Sequence, residues 1–346
     1  MSTSDFYRCC VIEKDINNET LLVWAFPSVT PEQKKFILRK YSSNYFQEPS
    51  FAFTRYHNEW CYIIKTQIFT TDNLPQVKQY ALTLWTKDYN PKKYETLCKI
   101  LCSKYCKSGN PAELLQLYLS VMTKGVCPTE KNGMFVISNY DSMKIDCQGA
   151  VKELIKLFGL EIILIYNSLL LNKRMIIYHH SLESLLKYIQ AVPQLMIHRN
   201  FNETTFPWLD LQNDELNELK CYEGFIAGCP DKSIEALKEV YDIFVNIPAR
   251  EVTVSPHSKD YFVMTKVHKD IALFMVQLSE NSNMEENEII EKIAKKTEEL
   301  RSQFREKKKN VFPYKIIEKE TFFSFFPACL LQNQIWKIRK HFPLNH

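Results

Sequence analysis

FYRCCVI at residues 6–12 and LLVWAF at residues 21–26 stand on either side of DINN at residues 15–18. Each flanking run is rich in β-branched and aromatic residues, and the Asp and Asn between them supply turn chemistry. The three pieces together read as a β-hairpin. In a regular strand Leu22, Trp24 and Phe26 share one face, while Val23 and Ala25 point to the other. Immediately after the hairpin, Thr30-Pro31-Glu32 predicts a helix start. Thr30 serves as N-cap, Pro31 fits the first helical position and Gln33 completes a capping box. Working outward, strands are expected at Phe51–Arg55, Trp60–Phe69 and Tyr80–Trp85. Asn90-Pro91 then opens a helix with Tyr94, Leu97, Cys98, Leu101, Cys102 and Tyr105 at helical spacing. Roughly the first 105 residues thus form a small α/β module, a sheet of about five strands with two helices.

Beyond it, Lys107–Pro111 reads as a connector, Ala112–Thr123 as a helix and Cys127–Tyr140 as loop. From Ala150 helix and strand alternate again: a helix at Val151–Phe158, an apolar run at Ile162–Leu171, a buried strand at Arg174–Tyr178, and a helix at Leu182–Val192. Further strands are expected at Gly224–Ala227, Ile243–Ile247 and Val252–Val254, which suggests a partly parallel sheet. After Pro256 the pattern turns helical, with helices predicted at Tyr261–Gln277, Glu285–Lys308 and Thr321–Arg339. The second of these starts acidic (Glu285, Glu286, Glu288, Glu291) and ends basic (Arg305, Lys307, Lys308, Lys309), both favourable to the helix dipole. Ile290, Ile293, Thr297, Leu300 and Phe304 form a seam barely two heptads long. So short a seam favours packing within the chain over a free coiled coil.

Composition limits what such a chain does. Hydrophobic residues make up 45% and charged residues 24% of the 346, ordinary for a globular protein with a real core. The net charge of +4 is too small for a dedicated nucleic-acid binder. It is also unevenly placed, because residues 301–340 hold ten Lys/Arg against three Glu. No basic stretch followed by an apolar core opens the chain, so its eleven cysteines are expected to stay reduced in a cytoplasmic protein. The most apolar stretch, Leu160–Tyr178, is broken by Glu161, Asn167, Lys173 and Arg174, which argues against a membrane span.

Chemistry-bearing motifs are scarce. The seven glycines build neither a dinucleotide fingerprint nor a phosphate loop, and there is no nucleophile elbow or zinc helix. No catalytic residue, cofactor or metal is therefore expected. Cys98, Cys102 and Cys106 recur every fourth residue, but positions four apart lie about 6 Å apart on a helix, so one ion could take two of them and not three. Burial as small hydrophobes is the simpler reading. His179-His180 has only Glu183 nearby and reads as a strand-end turn. Trp24 and Phe26 remain candidates for partner binding, because large aromatics on an uncovered sheet face suit an interface. Packing of that face beneath helices is the equal alternative. Arg305, Lys307, Lys308 and Lys309 are candidate contacts to anionic lipid or a partner, with a solvated helix end as the simpler account.

These segments, in this order, resemble the DENN-domain family. The resemblance runs through Ile12-Glu13-Lys14-Asp15 and Val23-Trp24-Ala25-Phe26-Pro27-Ser28, then Thr86–Tyr94 and Thr123–Cys127. It continues in Leu170–Tyr178, Gly224–Gly228 and Tyr241–Ile247, with Asn246 where the family usually carries an acidic residue. It is closest to the family's short single-DENN branch, associated with the endosomal Commander assembly. The resemblance implies a longin-like N-terminal module at residues 1–106 and a helix with connecting loop at 107–149. A central α/β DENN module at 150–255 and a mainly helical part at 256–346 would follow. It also implies a protein of early and late endosomes, peripheral to the membrane at most. Implied partners are a Rab GTPase, on which it would act in guanine-nucleotide exchange, or coiled-coil subunits of a sorting complex. Exchange makes and breaks no covalent bond, so it needs a shaped surface and no nucleophile.

Overall fold

A computed structural model of the protein describes residues 6–46, 50–67, 73–129, 133–140 and 149–311, without the side chains of residues 6, 7 and 303–311. It is a mixed α/β chain that divides into two compact units. The first comprises Met1–Asp146, His180–Leu186 and Thr205–Asp210; the second holds Cys147–His179, Lys187–Thr204 and Leu211–His346. The predicted helix at Thr321–Arg339 lies outside the described residues. Among the described residues no helix is long and apolar enough to cross a membrane.

Unit 1 is built on strands β1 (Phe6–Asp15), β2 (Thr20–Phe26), β3 (Ser50–Tyr56), β4 (Glu59–Gln67) and β5 (Val77–Thr86), in the order β2-β1-β5-β4-β3 with every pairing antiparallel. Asn18 closes the first hairpin with φ of 66°, a conformation Asn tolerates better than most residues. Helix α1 (Pro31–Tyr41) covers one face of the sheet. Its Phe36 ring meets Trp85 of β5 at 6.1 Å, and the Lys65 ammonium of β4 sits 4.7 Å over the Tyr41 ring. Helix α2 (Pro91–Ser108) covers the other face, where Tyr94 stacks on Tyr62 at 4.4 Å and Tyr105 meets Tyr80 at 5.5 Å. Alternation along each strand is what feeds both layers.

Local sequence sets the helix starts as expected. The Thr30 hydroxyl accepts from the Gln33 amide at 3.2 Å while the Thr30 amide donates to Gln33 Oε1 at 3.0 Å, a complete capping box. Asn90 Oδ1 accepts from the Lys93 amide at 3.1 Å to cap α2.

Two expectations need correction here. The connector is shorter than Lys107–Pro111: α2 runs through Ser108, α3 (Pro111–Lys124) begins with Pro111, and only Gly109 and Asn110 lie between. Gly109 has φ of 60° and a Cβ there would stand 2.6 Å from the Asn73 carbonyl oxygen, so the turn depends on glycine. The segment Cys127–Tyr140 is not plain loop. It contains the hairpin β6 (Val126–Pro128) and β7 (Met134–Val136) and a 3-10 turn at Ile137–Tyr140. Its strands are three residues each, too short for a periodic signal.

In unit 2 the strand β8 (Arg174–Tyr178) is parallel to both β10 (Phe225–Cys229) and β11 (Ile243–Asn246), and β12 (Glu251–Val254) pairs antiparallel with β11. Strand β9 (Thr205–Phe206) belongs to unit 1, beside β3. Buried, near-continuous apolar runs such as Met175-Ile176-Ile177 suit a parallel strand covered on both faces. The helices are α4 (Ala150–Phe158), α5 (Ile162–Leu170), α6 (Leu182–Ala191, whose first half belongs to unit 1), α7 (Asn213–Leu219), α8 (Lys266–Glu280) and α9 (Glu286–Val311). The helix predicted from Tyr261 starts instead at Lys266. Residues Pro256–Phe262 form a 3-10 turn, and Thr265 caps α8 through the His268 amide. Ile290, Ile293 and Thr297 of α9 are buried, and the Thr297 hydroxyl bonds Tyr166 of α5 at 2.8 Å. The seam therefore packs within its own unit.

Candidate functional site

Strand β2 lies at the edge of the unit 1 sheet, and its register decides what it presents. Val11 pairs with Trp24 and Ile12 pairs with Leu22, so a bulge falls at Val23. Neighbours Val11 and Ile12 point to opposite faces, which places Trp24 and Leu22 on opposite faces as well. The expected common face of Leu22, Trp24 and Phe26 is thus broken, because one extra residue inverts the alternation beyond it. Phe26, opposite Cys9, keeps the same face as Trp24.

Both aromatics are half-buried. The Phe26 ring meets Tyr118 of α3 edge-on, with centroids 6.3 Å apart and planes at 78°. The more exposed apolar groups of this hairpin are ones the alternation did not single out: Ile16, Leu21 and Val23, at 63%, 57% and 43% exposure. Leu21 sits opposite Glu13, whose carboxylate accepts from the Tyr105 hydroxyl at 2.7 Å. Only the bulge reveals Val23, and a strand of seven residues carries no sequence signal for it.

Arg305, Lys307, Lys308 and Lys309 fall in the last turns of α9, where the described residues give their backbone but not their side chains. Cys98 and Cys102 are buried on α2. Burial pushes the Cys98 thiol well up and the Cys102 thiol to about 12, which keeps both protonated and unreactive. Among the described residues no three His, Cys, Asp or Glu side chains converge to hold a metal ion. His179-His180 falls in the turn between β8 and α6.

The densest polar constellation of unit 2 surrounds Asp242, just before β11. The Arg174 amide donates to Asp242 Oδ2 at 2.8 Å, and the Arg174 guanidinium reaches both oxygens, at 3.3 and 3.1 Å. The Ser258 hydroxyl donates to Oδ1 at 2.5 Å, and His257 Nε2 lies 3.1 Å from the same oxygen. Burial by itself would raise the Asp242 pKa. The hydrogen bonds from Arg174 and Ser258 outweigh it and hold the carboxyl at about 2. A carboxylate so thoroughly supplied with donors is a poor base. It instead fixes the start of β8, the start of β11 and the 3-10 turn to one another. Asn246, at the end of β11, accepts from the Ala249 amide at 3.1 Å and closes the turn into β12.

Comparison with known proteins adds the class. The family model described as "SPA: Stabilization of polarity axis" matches residues 148–256, which contain the whole Asp242 constellation apart from His257 and Ser258. DENN domain-containing protein 10 of Danio rerio is 35% identical over 294 residues, covering 84% of each chain. The Homo sapiens protein of that name is 34% identical over 293 residues, 84% of this chain and 82% of its own. That of Dictyostelium discoideum is 32% identical over 308 residues, again 84% of each. Likeness of this extent, in a mixed α/β chain, means that the chain belongs to the DENN-domain family.

Proposed function

We propose that the protein regulates membrane trafficking by binding other proteins, as a subunit or adaptor of an endosomal sorting complex. The observation that carries this reading is membership of the DENN-domain family over 84% of the chain, rather than of one short segment. In this reading residues 1–106, the part of unit 1 whose sheet is covered by α1 on one side and α2 on the other, are the longin-like module. Residues 107–149 connect it to the central DENN module at 150–255, and residues 256–346 form the helical remainder. The Trp24 and Phe26 strand, with Leu21 and Val23 beside it, is the surface offered to coiled-coil subunits. The protein then resides in the cytoplasm and on early and late endosomes through its partners, and the basic end of α9 adds contact to partner or lipid.

A second reading, guanine-nucleotide exchange on a Rab GTPase, draws support from the same membership and from rigid surfaces that need no nucleophile. Labelled-GDP release from a panel of Rab proteins separates the two. Acceleration at micromolar protein establishes exchange, and none across the panel removes it. For the adaptor reading, Trp24→Asp is expected to keep the circular dichroism and melting of the natural chain while losing co-purified partners. A variant that unfolds would assign Trp24 to the core and remove it from the surface.

A further inference from the structure

The segment Lys259–Asp270 of unit 2 reads KDYFVMTKVHKD. Four of its apolar residues face solvent: Tyr261 at 42%, Val263 at 50%, Met264 at 41% and Val267 at 43% exposure. Between them, buried residues hold the backbone in place. Phe262 is 6% exposed and His268 is 2% exposed. Thr265 and His268 exchange a capping box, with the Thr265 amide donating to His268 Nδ1 at 3.1 Å. At the other end Ser258 is tied to the buried Asp242 carboxylate. The exposed apolar groups are therefore displayed on a fixed frame, which lowers the ordering cost of any contact they make.

The charges around them have a sign. Lys259, Lys266 and Lys269 are exposed in the same segment. The Lys173 ammonium, from the turn before β8, lies 3.4 Å from the centre of the Tyr261 ring. Against these four lysines the segment sets the exposed Asp260 and Asp270, so a positive excess remains. Apolar side chains without a pocket of their own, interleaved with lysines whose long stems can reach past them, fit a lipid headgroup boundary. A protein interface of standard size is instead organised around anchors seated in pockets.

We infer that residues 261–267 form a membrane-docking patch that inserts Tyr261, Val263, Met264 and Val267 shallowly at an anionic bilayer, with Lys173, Lys259, Lys266 and Lys269 on the headgroups. This inference is independent of the adaptor and exchange readings, since it concerns lipid alone.

The test is flotation of the full chain with vesicles of phosphatidylcholine alone or with about 30% phosphatidylserine, at low and high salt. The natural chain is expected to float with the anionic vesicles and to fall away at high salt. The pair Lys266→Glu and Lys269→Glu removes two attractive lysines and should weaken binding about thirty-fold or more. The pair Val263→Asp and Met264→Asp should abolish flotation, with melting temperature as the check that unit 2 stays folded. The pair Lys307→Glu and Lys308→Glu, in the basic end of α9, should leave most of the binding intact. The proposal is overturned by no flotation of the natural chain, equal flotation on neutral vesicles, loss only in the α9 pair, or unchanged binding in both folded patch variants. A dimer in light scattering that dissociates in the Val263→Asp and Met264→Asp pair, with vesicle binding absent, would assign the patch to a second copy and equally overturn it.

Discussion

Among the described residues the two units bury ionic groups of opposite sign, and they satisfy them in different ways. In unit 1 the buried ions are cations. Lys40 of α1 is fully buried, with its ammonium 2.8 Å from Asp210 and 2.9 Å from the Trp208 carbonyl, and over the Trp208 ring at 4.8 Å. Lys65 donates to the Tyr41 and Phe46 carbonyls, both at 3.1 Å. Carbonyl oxygens and ring faces share the solvation there with carboxylates, Asp210 beside Lys40 and Asp88 beside Lys93. In unit 2 the buried ion is the Asp242 carboxylate, and its partners are donors: a guanidinium, a hydroxyl and an amide. The difference teaches where acid acts. A carboxylate held by donors loses its purpose once protonated, whereas Lys65, bonded to carbonyls, keeps those acceptors throughout the acid range.

Breaking the unit 1 arrangement should have the largest effect. Lys40→Met takes from Asp210 its partner at 2.8 Å, with Arg39 still at 3.5 Å, and removes one of two donors to the Trp208 carbonyl, the Thr54 hydroxyl staying at 3.1 Å. A cost of about 3 kcal/mol is expected, read as a shift of the urea midpoint for unit 1. A loss below about 1 kcal/mol would mean that Arg39 substitutes fully.

For unit 2 the comparison can be sharpened by pH. The folded pKa of Asp242, about 2, lies below the unfolded value. Its stabilisation is therefore present above about pH 4 and lost as pH falls toward 2, amounting to about 2 kcal/mol at most. Asp242→Asn should lower neutral-pH stability by about that much and flatten the decline of unit 2 melting between about pH 4 and 2. An unaltered acid profile would place the titrating latch elsewhere.

The smallest effect separates two capping boxes of the same design. Thr30 of α1 is answered by Gln33, and Thr265 of α8 by His268. Thr30→Ala and Thr265→Ala should each cost about 1 kcal/mol. Burial pushes the His268 imidazole below the usual histidine range, and its neutral Nδ1 is the acceptor for the Thr265 amide. That part of the α8 cap is thus present above the unfolded histidine pKa and lost as pH falls through the lower folded value. Gln33 does not titrate, so the α1 box lacks a histidine step; its acid dependence comes from Glu32, whose carboxyl is held below the ordinary value by its own backbone amide and the Thr30 hydroxyl. His268→Gln should bring the two into line, as seen in the acid side of the melting profile.

Much of this was legible before any coordinate. The hairpin, the Thr30 box, the Asn90 cap and the opposed charges of α9 are decided by residues within about four positions of one another, the reach of a helical turn or a tight turn. Short β-branched and aromatic runs located all five strands of the unit 1 sheet for the same reason. The candidate site was less legible. Trp24 and Phe26 were visible as aromatics, but the bulge at Val23 rearranged which apolar groups meet solvent, and a bulge is set by the pairing partner, not by the strand itself. The exposed Tyr261–Val267 segment looked like the first turn of a helix. Its true character follows from the buried Phe262, the Thr265 cap and the Ser258 tie to Asp242.

Local propensity and periodicity therefore determined the elements of this protein and the α/β class of both units. Tertiary structure alone decided the ionic closures and the exposed surfaces. Lys40 meets the Trp208 carbonyl across 168 positions of chain, and Arg174 meets Asp242 across 68. Contacts at such separation leave no period and no spacing to read. They exist because burying a charge is tolerable only where a partner arrives with it, and the fold alone determines which partner arrives.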